Sequence, residues 1–333
     1  MIGVGVVGLG VGEQHARAFH NHYACEVRTL CDLNMTRARV LADEFPGCLV
    51  AETFEEMLGD SRLDVLAIAS FDDAHFEQVK SALQMGKHVF VEKPVCRTIE
   101  ELASIKAQWQ RAGGSLKLHS NLVLRAAPLY VWLREQIRAG AMGKIYSFDG
   151  DYLYGRLHKI TEGWRKDVDD YSVMEGGGIH MVDLLLWLTG ERPVAVSASG
   201  NRLSTISTAF RYNDFVAAAF EFESGLVARV SANFGCVHAH QHVMRVFGTQ
   251  ASFLYDDAGP RWHFAREPEL GAKRLSMSPF PRHKGVLVPN FVEAVLENVN
   301  DSDNTQTIFD GISACIAVDK AMMTGKKERI EYV

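Results

Sequence analysis

The stretch VFVEKPVCRT, Val89 to Thr98, sets an acid, a lysine and a proline side by side at the end of an apolar run. A strand delivers Glu92 and Lys93 there, and Pro94, with a fixed φ and no N–H, stops the ladder and sets the turn. A cis Lys93–Pro94 bond is compatible with such a turn. A lysine held this way can bind a substrate hydroxyl and stabilise a developing alkoxide; otherwise it is an exposed loop lysine. A second stretch, GGGIHMVDLLLWLTG, puts three glycines ahead of His180 and places Asp183 three residues after it. Helical spacing sets His180 and Asp183 on neighbouring faces, and the glycines permit a tight approach of backbone to ligand. A histidine can take a hydroxyl proton near neutral pH, although a core or capping histidine would read the same.

A third stretch, VVGLGVGEQHA, runs through Gly8, Leu9, Gly10, Val11 and Gly12 between an apolar segment and a helical one. Bare backbone at that junction lets amide N–H groups and a helix N-terminus face a pyrophosphate, so a dinucleotide is the expected ligand. The spacing is G-x-G-x-G, and the usual third site, position 13, holds Glu. Asp32 follows Gly8 by 24 residues, where an acid hydrogen-bonds ribose hydroxyls and repels a 2′-phosphate; the other reading is a helix N-cap. NAD is therefore the expected cofactor, with NADP the alternative. Arg37 lies too far along the following helix to serve as a phosphate ligand. In SFDDAH, Ser70 and Phe71 offer backbone and packing to the same cofactor.

The elements that must position these groups follow from periodicity. Ile2–Gly8, CEVRTLCD, LDVLAIAS, KHVFVEK and SLKLHSN read as strands. They alternate with helical segments GEQHARAFHNH, MTRARVLADEF, HFEQVKSALQMG and TIEELASIKAQWQRAGG. Thr98 and Glu101 stand at N-cap and N3 of the last of these. The series predicts an α/β fold, an N-terminal Rossmann doubly wound parallel sheet over residues 1–121. Ligands sit at the carboxyl ends of such strands, so Glu92 and Lys93 reach that rim.

Residues 122–333 change rhythm. A helix (Pro128–Ala139), a long strand (Lys144–Tyr154), a helix around His180–Leu188 and several β-like segments from Val194 to Tyr255 predict an α+β domain. Its sheet is mainly antiparallel. Two helices (Pro289–Val299 and Ile308–Thr324) and a short strand in ERIEYV end the chain, and these helices are free to pack back on the first domain. On the substrate side, YLYGRLHKITEGWRKDVDDY combines Tyr154, Arg156, His158, Lys159, Trp164 and Arg165 in an irregular stretch. Such a mixture suits a polyhydroxylated ligand bearing an acidic group, though it also fits a solvated loop. Asn121, closing the SLKLHSN strand, joins this set. CVHAHQH places Cys236, His238, His240 and His242 on one strand face by period two. Adjacent ligands there would stand about 7 Å apart, too wide for a tetrahedral zinc, so a polar sheet face is expected and no metal.

Composition bounds the classes. The net charge is −6 without long runs of one sign, so no nucleic-acid partner is expected. No apolar run reaches the length of a membrane span, and the short glycine-rich start reads as a first strand and not as a signal peptide. Six scattered cysteines without a C-x-x-C pair read as reduced core thiols of a cytoplasmic protein.

GLGVGEQHARA, Asp32, AHFEQVKSALQMGKHVFVEKPVCRTIEEL and GIHMVDLLLWL, together with FGTQASFLYD, resemble the glucose–fructose oxidoreductase and inositol dehydrogenase (Gfo/Idh/MocA) family in the right order along nearly the whole chain. The E-K-P motif after a G-K-H-V strand is its most specific part. The resemblance implies NAD(P)-dependent redox chemistry on a sugar, nucleotide sugar or cyclitol, with a second domain whose large, open sheet binds substrate and forms a homodimer or homotetramer. It implies Lys93 and His180 as the catalytic pair, Glu92 and His75 near the cofactor, and an approach of Trp164 and Arg165 to it. Many members carry an aspartate four residues before the histidine; here that position is Gly176, which leaves Asp183 or Asp170 to help. Two rival readings stay open: a glycosidase using bound NAD for transient oxidation, and a non-enzymatic dinucleotide-binding regulator.

Overall fold

Continuous apolar runs alternating with amphipathic ones make parallel strands covered on both faces. The computed structural model, which describes residues 1–333, has this arrangement in its first third. Strands β1 (Ile2–Val7), β2 (Cys25–Cys31), β3 (Leu49–Ala51), β4 (Val65–Ile68), β5 (His88–Val91) and β6 (Leu118–Ser120) form one parallel sheet. Helices α1 (Gly12–His20), α2 (Met35–Ala42), α3 (Phe54–Leu58), α4 (His75–Gln84) and α5 (Ile99–Arg111) connect them. The strand order β3-β2-β1-β4-β5-β6 reverses between β1 and β4, the crevice where doubly wound sheets take their ligands. The short pair β3 and α3 has no counterpart in the expected element series.

The chain divides into two compact units, 1–123 with 281–309 and Val333, and 124–280 with 310–332. Within the first, the ring of Phe19 on α1 packs edge-on against Phe90 on β5 and Phe291, which are tilted against each other, with centroids 5.5–6.2 Å apart. All three side chains are fully buried, a contribution of about 1.5–3 kcal/mol each relative to exposure. This cluster fixes β5 just behind Glu92.

The second unit opens with α6 (Pro128–Arg138), β7 (Ile145–Leu153), the one-turn α7 (His158–Thr161) and α8 (Ile179–Thr189). Strands β8 (Ala195–Asn201), β9 (Phe215–Glu221), β10 (Val227–Asn233), β11 (Gln241–Gly248), β12 (Ser252–Tyr255), β13 (Arg261–His263) and β14 (Lys273–Arg274) follow. Helix α9 (Val288–Leu296) carries Phe291 and lies in the first unit; α10 (Ser302–Thr324) and β15 (Glu328–Arg329) end the chain. The nine-stranded sheet runs β14-β13-β12-β11-β7-β10-β9-β8-β15 and is antiparallel except at β7–β10. Helix α8 is apolar nearly all round and buried along its length, and its Met181 sits where any side chain at Gly150 of β7 would have to be. No helix is long and apolar enough to cross a membrane.

Helix α5 starts from the turn that bears Lys93. Thr98 Oγ1 accepts from Glu101 N at 3.2 Å while the Glu101 carboxylate accepts from Thr98 N at 3.2 Å, the expected reciprocal cap. Thr98→Ala should lower the unfolding free energy by about 1 kcal/mol in a denaturant titration, with Thr98→Ser close to the parent.

Candidate active site

The last ladder bonds of the parallel sheet bring the first unit's functional groups to one rim. Gly8 N donates to Cys31 O (2.9 Å), Ala69 N to Val7 O (2.8 Å), Glu92 N to Ile68 O (2.8 Å) and Asn121 N to Val91 O (2.8 Å). The residues just past these bonds are the glycine turn, Ser70, Glu92–Lys93 and Asn121. Each glycine of the turn has its own role. Gly8 has φ +78°, and a side chain there would strike the Ala69 carbonyl at 2.4 Å. Gly10 has open space around it, so its backbone is approachable. Gly12 lets α1 settle on Val6 and Ala69, where a methyl would stand 3.1–3.2 Å from both. The packing role expected at position 13 thus falls to Gly12, which leaves Glu13 free to face outward.

Asp32 is tied to this turn. Its Oδ2 accepts from Leu9 N (2.5 Å) and its Oδ1 from Asn34 N (2.7 Å), whereas the cap of α2 is supplied by Asn34. The nearby cations carry their own counterions: Arg37 pairs with Glu13 at 3.2 Å, and Arg17 pairs with Glu13 and Glu44. Arg37 and Arg17 in turn hold the Glu13 carboxyl below its usual range. An open Gly10, a helix N-terminus and an acid at the end of β2 fit a dinucleotide.

Glu92 lies at the centre of the rim. Its Oε1 meets Asn121 Nδ2 at 2.6 Å and His15 Nε2 at 3.2 Å, and Asn121 Nδ2 also reaches Lys284 O at 2.9 Å. Burial pushes the Glu92 carboxyl up, but the groups that surround it, the His15 ring, Lys93 and the Asn121 amide, outweigh it and hold the group below the ordinary carboxylate range. The Lys93–Pro94 bond is cis. His75 is fully buried, its ring nitrogens 2.7 Å from Pro94 O and 3.2 Å from Ser70 O, so it links the β4 and β5 turns. Ser70 Oγ donates to Gln78, and Phe71 is exposed.

In the second unit His180 occupies the first turn of α8, buried and stacked on Tyr152 of β7 with centroids 5.9 Å apart. Burial raises the Tyr152 phenol well above its ordinary value, so it stays protonated beside the imidazole. Tyr154 stacks on Tyr152 in turn (5.9 Å), and Arg156 lies over the Tyr154 ring at 5.5 Å. Lys159 is exposed on α7, and Arg165 rests 4.5 Å over Trp164. The three glycines before His180 form a π-turn, Met174–Gly178. The protein's own side chains close on them: added methyls would strike Tyr171 Oη (2.1 Å), Tyr152 (2.4 Å) and Met174 Sδ (2.3 Å) at Gly176, Gly177 and Gly178. At Gly176 the tyrosine hydroxyl, which accepts from Arg165 Nε at 2.9 Å, fills the space a longer side chain would need.

Asp183 is buried and its carboxylate receives Arg125 Nε at 3.0 and 3.1 Å. Asp170 sits at φ +52° with its amide donating to Tyr212 Oη. The CVHAHQH segment corrects one expectation, because β11 begins only at Gln241 and the four donors do not share a strand face. His240 and His242 come together, centroids 4.8 Å apart beside Tyr152, while His238 pairs with Asp257 and Cys236 turns to Asn233 O. His15, Tyr152, Tyr171 and Arg125 are site residues that sequence reasoning did not single out. Tyr152 alone had a local signal, sharing a strand face with Tyr154.

Residues 2–119 match the family model described as "Oxidoreductase family, NAD-binding Rossmann fold", and residues 130–254 match the "GFO/IDH/MocA C-terminal domain". D-glucoside 3-dehydrogenase of Escherichia coli K12 is 26% identical over 282 residues, 77% of this chain and 75% of that protein. Levoglucosan dehydrogenase, solved in complex with NADH, superposes with a TM-score of 0.85 at 19% identity over the full length of both chains. Scyllo-inositol dehydrogenase from Lactobacillus casei, solved with NAD(H) and scyllo-inositol, gives 0.80 at 20% identity over 99% of each. At these identities the structural likeness is one of fold.

The Arg125–Asp183 pair sets a pH-dependent constraint on α8. Burial raises the Asp183 carboxyl above its ordinary value although Arg125 opposes it. An acid with a raised folded value binds its proton more tightly in the folded chain, so stability falls as pH climbs through that window. Arg125→Met should cost about 3–5 kcal/mol near neutral pH and less as Asp183 protonates, measured by urea denaturation across acidic and neutral buffers. A cost that does not change with pH would contradict this role.

Proposed function

The chain belongs to the GFO/IDH/MocA family of oxidoreductases, and from that premise we propose that it is an NAD-preferring dehydrogenase acting on a secondary alcohol of a sugar, nucleotide sugar or cyclitol. The observation that carries the reading is the Glu92–Lys93 turn, standing on the same strand-end rim as the open glycine turn and Asp32. Relatives that are sugar and inositol dehydrogenases support the substrate class. Bound NAD would supply a hydride acceptor. The glycine turn, the first amides of α1 and Asp32 would hold it, with Ser70, Phe71, Trp164 and Arg165 as further contacts.

A carbinol carbon releases hydride only as its hydroxyl proton is removed, so a base and a cation must act on one oxygen. His180 is the base in this reading, since an imidazole's ordinary pKa of about 6.5 lies near working pH, whereas a lysine starts near about 10.4. Lys93 serves in this reading as a hydrogen-bond donor to the substrate hydroxyl and stabilises its developing charge. Tyr154, Arg156 and Lys159 bind the remainder of the substrate, the two cations suiting an acidic group. Asp183 contributes by anchoring α8 through Arg125.

The cofactor preference rests on Asp32, whose carboxylate would repel a 2′-phosphate while the adjacent Arg37 is already paired with Glu13. Asp32→Ala should narrow the ratio of kcat/KM for NAD over NADP; a parent enzyme faster with NADP would reverse the assignment. His180→Ala and Lys93→Ala should each lower kcat by at least about 10²-fold, the lower end of general acid–base assistance, while NAD binding by calorimetry changes far less. Normal turnover by either variant removes that residue from the mechanism.

A further inference from the structure

The donors around Glu92 can be counted, and the count assigns a state to a histidine that no step above uses. Asn121 Nδ2 carries two protons and has three neighbours: Glu92 Oε1 at 2.6 Å, Lys284 O at 2.9 Å and His15 Nε2 at 3.1 Å. The opposite amide orientation would set Asn121 Oδ1 against two oxygen acceptors, so the nitrogen belongs where it is. Its two shortest contacts take both protons. His15 Nε2 therefore receives none and instead donates to Glu92 Oε1 at 3.2 Å. The other ring nitrogen, Nδ1, is buried without a hydrogen-bond partner, and the ring lies edge-on to Phe90 at 5.1 Å. A proton on Nδ1 would be a buried donor with nothing to meet.

Both contacts fall on Oε1, and the Glu92 side chain keeps 15% of its surface accessible. We propose that His15 is a positioning residue: as the neutral Nε2–H tautomer it pins Oε1 of Glu92 together with the Asn121 amide, so that the second carboxylate oxygen is aimed at the bound nucleotide. This rests on the reading that the Glu92–Lys93 turn serves the cofactor. Asn121 then acts through Glu92. The groups facing that carboxylate are His15 from α1, Lys93 on its own turn, the Asn121 amide after β6, and the carbonyl end of Lys284 behind Asn121.

The tautomer is measured on the full chain without substrate, by long-range proton–nitrogen correlation of ¹⁵N-histidine-labelled protein, with His15→Gln supplying the assignment. At neutral pH the His15 ring should show a protonated Nε2 and a bare Nδ1; a proton on Nδ1 overturns the proposal whether or not any variant folds. The positioning role is read from NAD binding by calorimetry at neutral pH. His15→Leu should bind NAD roughly tenfold more weakly than the parent, the loss of one hydrogen bond to a charged group. His15→Gln, which can still donate, should recover most of that loss, and in a Glu92→Gln background His15→Leu should make little further difference. His15→Leu binding NAD as tightly as the parent overturns the positioning role. A Lys93→Ala enzyme with normal turnover would instead overturn the assignment of Lys93, leaving the His15 tautomer and the NAD titrations as they are.

Discussion

A carboxylate at the end of a buried strand must be met by donors, since an uncompensated charge there is far too costly to keep. Glu92 imposes that requirement on the first unit. Its donors come from α1, through His15, and from the residue that follows β6, Asn121, which is held in turn by the carbonyl of Lys284. One side chain thereby fixes the mutual placement of a helix, two strand ends and a returning segment. Helix α1 begins at the glycine turn, so the carboxylate beside Lys93 also ties down the helix whose first amides follow that turn. The buried rings of Phe19, Phe90 and Phe291 lock the same elements from behind, and Gly285, packed on Ala18 and Gln14, brings the returning segment close enough to reach Asn121.

The second unit solves a different problem, placing an imidazole on an almost wholly apolar helix against a sheet. It does so by removing side chains. Gly176, Gly177 and Gly178 let Tyr171, Tyr152, Phe234 and Met174 close on the backbone just ahead of His180, and Gly150 admits Met181 from above. The remaining charge on α8, Asp183, is matched by Arg125 from outside the helix. The tyrosine hydroxyl filling the space at Gly176 is itself held by Arg165, so the loop that carries Trp164 is coupled to the turn that carries His180.

What the sequence made legible followed local rules. Continuous apolar runs identified β1, β4 and β5, and the spacing of Thr98 and Glu101 identified the start of α5 because a capping box is a property of four consecutive residues. The placement of Gly8, Gly10, Asp32 and Lys93 on one rim was readable because a parallel strand's carboxyl end is a fixed address. The three-residue β3, with Leu49 exposed and Val50 half-buried, has too little pattern to register. Long-range partners left no trace either. Arg125 and Asp183 are 58 residues apart, His15 and Asn121 are 106 apart, and nothing in either segment announces the other. The glycine triplet was visible, but only the fold reveals which side chains arrive there. In CVHAHQH the period-two reading failed because the chain is irregular until Gln241.

The central claim is net hydride transfer to NAD, and redox stoichiometry tests it most directly. Purified protein would be incubated with NAD and a panel of cyclitols, glucosides and nucleotide sugars, with NADH followed by its near-ultraviolet absorbance and product by mass spectrometry. A dehydrogenase gives one NADH for each molecule of ketone formed, with a product lighter by two hydrogens. Product accumulating over many turnovers with no NADH appearing, and with a glycosidic bond cleaved instead, would contradict the account.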